Sequence, residues 1–196
     1  LYAYKGLDKC VFKSCNKERI VVLKPTLNTK TNERRLGVLD KNYAKFRGDE
    51  FMVIDIIHKF DITKKIESIQ NSVYRSKRII YKIGNVARSD DYDCDINKVC
   101  SYGIHYFKDP EIAFYYGLEL TDLKTFGVKI YKKWYDFGPI KEEYRYKGNI
   151  QSGTRQQWYK NGQIMTKFCI KYGKKDGEYQ EWFENGHKCI ECIYRD

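Results

Sequence analysis

The sequence predicts an α+β, mainly β protein in two parts: an N-terminal α+β domain over residues 1–122 and a C-terminal array of three stacked antiparallel β-hairpins over 123–196. Three observations carry this. Trp134, Trp158 and Trp182, the only tryptophans, stand 24 residues apart. Asn161-Gly162 and Asn185-Gly186 follow the second and third at a constant offset, and Asn-Gly is the strongest short hairpin signal. Upstream, short β-branched and aromatic runs alternate with polar loops, interrupted by one well-punctuated helix near residue 110.

In chain order, Tyr2-Ala3-Tyr4-Lys5-Gly6 and the run Arg19-Ile20-Val21-Val22-Leu23-Lys24, stopped by Pro25, read as an opening pair of strands. Residues 26–35 form a polar loop. Phe51-Met52-Val53-Ile54-Asp55-Ile56-Ile57 is apolar enough for a core strand covered on both faces. Ile62, Ile66 and Ile69 fall at helical spacing and predict a helix within 61–76, with an irregular connector as the alternative. Ile79 to Gly84 is a further short strand.

The acidic segment Asp90-Asp91-Tyr92-Asp93-Cys94-Asp95 has the alternation of a calcium loop. Ile96 stands where such a loop needs its glycine and Tyr102 where it needs a bidentate Glu, so a solvated acidic loop is expected instead. Then comes Cys100-Ser101-Tyr102-Gly103-Ile104-His105-Tyr106-Phe107, a strand with His105 and Phe107 on one face and Ile104 and Tyr106 on the other. Asp109 as N-cap, Pro110 at the first helical position, Glu111 in the first turn and Gly117 as terminator predict a short helix behind it. Leu118 to Thr125 reads as a short linker with a boundary near Asp122, which predicts that the array docks on, or continues from, the first domain.

Each repeat unit is expected to be a hairpin with a two-residue turn, Asn and Gly both at positive φ. The blocks are Trp134-Tyr135-Asp136-Phe137-Gly138, Trp158-Tyr159-Lys160-Asn161-Gly162 and Trp182-Phe183-Glu184-Asn185-Gly186, with Gly153 and Gly177 opening the last two units. One sheet face should be aromatic, each Trp covering the next as units stack in register. The first block lacks the turn Asn, as terminal units of arrays often do.

These blocks, Gly-x-x-x-x-Trp-Tyr/Phe-x-Asn-Gly and then a strand reaching Tyr146-Lys147-Gly148 or Tyr172-Gly173-Lys174, resemble the MORN family of repeats, in the variant found in bacterial antitoxin-like proteins and giant DNA viruses. The resemblance covers residues 127–196 and implies stacked hairpins in scaffolding, partner-binding or membrane-associated settings. Residues 1–118, above all the C-S-x-G-I-H-x-F motif, resemble an uncharacterised domain of giant-virus (nucleocytoplasmic large DNA virus) proteins. That implies a viral protein of the host cytoplasm or the virion.

Composition bounds function. A formal net charge of +11 concentrates in residues 1–50 and in the repeats and admits nucleic acid or an acidic membrane surface as a partner. The competing reading is a solvated lysine face. Seven scattered cysteines and the absence of a signal-peptide pattern fit reduced thiols in a cytosol-like compartment. Cys189 and Cys192 form a C-x-x-C without partner ligands, so no metal is expected; three apart on a strand, they point to opposite faces. No apolar run approaches the twenty residues of a transmembrane helix. Leu1 in place of Met predicts that residues precede this stretch.

The expected function is therefore non-enzymatic: a protein–protein interaction or virion-associated module whose repeat sheet and open edge contact a protein partner or a second copy. The binding residues are Trp134, Trp158 and Trp182 for the stacked face, and Tyr135, Tyr159 and Phe183 as exposed contacts. No catalytic residue, cofactor or metal is expected on that reading. The alternative is enzymatic. Gly103 to Phe107 with Ala113 and Tyr116 is similar to the Gly-Ile-Tyr-Phe strand and downstream Ala-x-Tyr of poly(ADP-ribose) polymerases, which implies an NAD-dependent ADP-ribosyltransferase using His105, Tyr116 and Glu119. This chain has His where that family has the strand Tyr, and offers only His58 as an upstream histidine. A third reading is the basic-surface binder of nucleic acid or acidic membrane.

Overall fold

The computed structural model describes residues 8–71, 78–148 and 150–195. Strand exceeds helix by 46% to 7%, so the mainly β expectation holds. Two compact units emerge: residues 1–117 with Asp136–Gly138, and 118–135 with 139–196.

In the first unit, β1 (Val11–Ser14), β2 (Arg19–Lys24), β3 (Lys45–Gly48), β4 (Glu50–His58), β7 (Val86–Arg88) and β8 (Ile104–Phe107) form one sheet in the order β3-β8-β1-β2-β4-β7. All its pairings are antiparallel. β5 (Ser68–Gln70) and β6 (Ile80–Lys82) pair separately. β2, with Ile20 to Leu23 wholly buried, is covered on both faces and lies near the sheet's centre. The expected strand at 51–57 is present as β4, yet Ile54 is 39% exposed, so β4 is not covered on both faces along its length. One sheet face carries Val11, Val21, Leu23, Phe46, Val53, Ile56, Ile104 and Tyr106 into the core, closed by Tyr81 from β6. Tyr106 packs edge-on against Phe51 with ring centroids 5.1 Å apart.

α1 (Pro110–Tyr115) packs on β1 and β8. It starts as its sequence dictates, the Asp109 carboxylate accepting the Glu111 amide at 2.7 Å, a cap of about 1 kcal/mol. The expected helix within 61–76 does not form over 61–71, where turns lead into β5. Asp61 accepts the Thr63 amide and hydroxyl, and such local side-chain bonds compete with a helical start. The rest of that segment and Tyr2–Gly6 lie outside the described residues. β1 was not foreseen: its Lys13 and Ser14 mask an otherwise apolar strand.

The second unit opens with a helix where a linker was expected. α2 (Leu120–Thr125) is held by a capping box between Glu119 and Asp122 and anchored by fully buried Leu123. Then β9 (Ile130–Trp134), β10 (Ile140–Lys147), β11 (Ile150–Trp158), β12 (Ile164–Lys171), β13 (Lys174–Trp182) and β14 (Lys188–Tyr194) run up and down as one six-stranded sheet in sequence order. The turns differ from the expected type. Gly162 donates to the Tyr159 carbonyl at 3.1 Å, Tyr159 donates to the Gln163 carbonyl at 2.8 Å, and only Gly162 (φ +86°) lies in the left-handed region. Asn161 uses its side chain, accepting the Gln163 amide at 2.9 Å. This is a longer loop in which a type I turn ends in a left-handed glycine, and Phe183–His187 repeats it. A two-residue turn occurs at Tyr172-Gly173, φ +51° and +86°, between paired Lys171 and Lys174. Gly153 and Gly177 (φ +94° and +92°) mark bulges in β11 and β13.

Candidate functional site

On the helix-bearing side of the first sheet, β3 and β8 are paired so that Lys45 faces Phe107 and Arg47 faces His105. Lys45 is 5% exposed, and its ammonium donates to the Tyr116 hydroxyl at 2.7 Å and to the Cys100 sulfur at 3.4 Å. The bond to the phenol keeps its pKa raised against the opposing effect of burial. Lys59 donates to the Ser14 hydroxyl at 2.9 Å and to the Tyr116 carbonyl at 3.1 Å, tying the end of α1 to β1. His105 and Tyr116, singled out by their spacing of eleven, thus share a neighbourhood centred on Lys45. Burial, followed by the charges of Lys45, Lys13 and Arg47, presses the His105 pKa down to about 3, so it is neutral at physiological pH. Those charges are all cationic, whereas the NAD reading requires a carboxylate opposite. Glu119 belongs to the second unit, where its side chain caps α2. His58 is a buried turn cap whose Nδ1 accepts the Phe60 and Asp61 amides, both at 3.1 Å.

Arg47 is the feature that sequence reasoning missed. It is fully buried, and its guanidinium donates to the main-chain carbonyls of Asp93, Asp95, Lys98 and Tyr102. The Asp93 carboxylate turns to Ser101, the Asp95 amide and Lys98, which hold its pKa far below the ordinary carboxylate range. The acidic loop is therefore wound around a guanidinium that occupies the place of a cation. Among the described residues no cluster of three or more His, Cys, Asp or Glu is placed to hold a metal.

In the second unit, cross-strand pairing lines up Tyr131, Tyr144, Arg155, Phe168, Tyr179 and Cys192, one residue from each of the six strands. Tyr131 and Tyr144 stack at 4.7 Å, and the Arg155 guanidinium lies 5.0 Å from Tyr144 and 5.9 Å from Phe168 while paired with Glu142. Beside this row runs a polar chain: Thr166 donates to Gln157 at 3.1 Å, and Gln157 to Glu142 at 3.3 Å. The aromatic face is thus built from tyrosine, phenylalanine and a clamped arginine. Trp134, Trp158 and Trp182 are half-buried at the strand ends.

Tyr135 and Tyr159, expected as exposed contacts, are half-buried and serve as staples. Each phenol donates to the carbonyl of the next tryptophan, Tyr135 to Trp158 at 3.0 Å and Tyr159 to Trp182 at 2.8 Å. Phe183, which lacks the hydroxyl, is 56% exposed. β14 borders the sheet with Ile190, Ile193 and Tyr194 at 44%, 64% and 39% exposure, an apolar edge. Cys189 is half-buried and Cys192 exposed, and all seven cysteines are free thiols. No helix of the described residues is long and apolar enough to cross a membrane.

Fold and site together define a two-unit antiparallel β protein whose second unit is a hairpin repeat sheet. The chain belongs to the Family of unknown function (DUF5758), which matches residues 3–113. No curated protein and no solved structure matches it.

Proposed function

We propose that the chain is a non-enzymatic protein-interaction module of the MORN-repeat kind, from a giant DNA virus and working in the host cytoplasm or the virion. Its repeat sheet joins a second copy of itself through β14. The observation that carries this is the β14 edge: a seven-residue strand with three exposed apolar side chains and one side without a partner strand among the described residues. Such an edge is a template for strand addition. A second copy fits it by its own edge. β14 bears one lysine and one glutamate, Lys188 and Glu191, which pair with each other at 2.9 Å, so no net charge opposes an identical strand laid antiparallel beside it. The 24-residue blocks, each folding into one hairpin, support the MORN-type assignment. Replacing Ile190 or Ile193 by Lys tests the edge. The substitutions leave the fold intact and abolish assembly; assembly unchanged in both variants refutes the role of β14.

A further inference from the structure

The end of the repeat sheet holds a group of rings that the edge does not explain. Phe168 on β12 stands opposite Tyr179 on β13, ring centroids 5.7 Å apart and 37° between planes. Tyr179 meets Tyr194 on β14 edge-on at 5.7 Å and 76°. The ammonium of Lys175 sits among all three, 4.1 Å from the Tyr179 centroid, 5.1 Å from Tyr194 and 5.2 Å from Phe168. Each distance is within the range over which an aromatic face attracts a cation. Glu181 accepts the Tyr179 hydroxyl at 2.7 Å, which fixes that ring and adds negative potential beside it.

We propose that Phe168, Tyr179 and Tyr194 form a recognition cage for a trimethylated lysine side chain of a protein partner, and that Lys175 fills it in the free chain. The resident side chain shows that the cage accepts a lysyl stem and a positive head. It is poorly matched to its seat. A primary ammonium is compact and strongly hydrated, and at an exposed site its attraction to a ring is weak. Lys175 is exposed, makes no ion pair among the described residues, and has a flexible four-carbon stem that can swing out. A trimethylammonium keeps the charge, sheds less water and lays three methyl groups against the rings.

The neighbouring repeat supplies the contrast. Twenty-four residues earlier the corresponding positions hold Tyr144, Gln151, Arg155 and Ile170 in place of Phe168, Lys175, Tyr179 and Tyr194. There the cation is Arg155, pinned by Glu142, and of the three ring positions only Tyr144 is aromatic. A displaceable cation under three rings is specific to the last hairpin.

The test is amide chemical-shift titration of the full chain with a short peptide bearing one trimethyl-lysine, the same peptide with unmodified lysine, and choline. In wild type the trimethylated peptide binds and shifts residues around Tyr179. In Lys175→Ser, which empties the cage, it binds about tenfold tighter, a gain that misfolding cannot produce. Tyr179→Leu, with its fold checked by the unchanged remainder of the spectrum, loses the binding. Equal affinity for methylated and unmodified peptides, no gain in Lys175→Ser, or choline binding as tightly as the peptide each overturns the proposal.

Discussion

The hydroxyl of Tyr159 donates to the carbonyl oxygen of Trp182 at 2.8 Å, and Tyr135 does the same to Trp158 at 3.0 Å. One repeat is thereby tied to the next by a side chain that reaches past its own hairpin. Each bond is neutral and part-buried, worth about 0.5–1.5 kcal/mol. Tyr135→Phe and Tyr159→Phe should each lower stability by that amount in urea unfolding, and the double variant by the sum, because the two bonds share no partner. Losses near zero would show that stacking alone holds the units.

Arg47 predicts a much larger effect. Removing the buried guanidinium takes away the shared donor of four loop carbonyls, a class of change that costs about 3–5 kcal/mol. Arg47→Met should lower the melting temperature steeply. Since those carbonyls already serve a cation, calcium and EDTA should leave the wild-type melting temperature unchanged.

Lys13 predicts an unusual pH dependence. Its amine is 5% exposed in the core beside Cys15 and the Tyr81 ring, and burial lowers its pKa from 10.5 to about 8. Below pH 8 folded and unfolded chains both carry the proton, and holding that charge in the core costs about 3 kcal/mol, the free energy of moving a proton equilibrium from 10.5 to about 8. Between pH 8 and 10.5 the unfolded state binds more protons, so this cost fades as pH rises. Lys13→Met should therefore be more stable than wild type at pH 7, with the advantage shrinking towards pH 10. A constant difference across that range would contradict it.

Tyr172 lies at φ +51° in the Tyr172-Gly173 turn and is 77% exposed. A non-glycine residue there is strained, and its ring is barely covered. Tyr172→Asn or Tyr172→Gly should raise stability by about 0.5–1 kcal/mol, read as a higher urea midpoint at unchanged slope.

The hairpin array was legible because tryptophan spacing and Asn-Gly pairs recur without depending on distant contacts. The turn type was not: a left-handed glycine serves both loop lengths, and where strand pairing resumes decides between them. α1 announced itself through Asp109 and Pro110, whereas α2 has six residues and one buried leucine, Leu123, too little to show periodicity. The nearness of His105 and Tyr116 followed from a local strand-turn-helix. Lys45, which joins them, comes from β3, far back in the chain, and no local pattern marks it. Lys13, Arg47 and Lys175 escaped notice because a lysine or arginine in a strand reads as solvent-facing until the fold shows what covers it. For Lys175 the signal was present, since aligning the 24-residue repeats sets Lys175, Tyr179 and Tyr194 against Gln151, Arg155 and Ile170 one unit earlier.

The central claim is that β14 pairs with β14 of a second copy. The most direct test is the absolute mass in solution over a concentration series at low and high salt. A dimer that forms with concentration, persists at high salt and is lost in Ile193→Lys is the predicted result. A strict monomer at every concentration would contradict it.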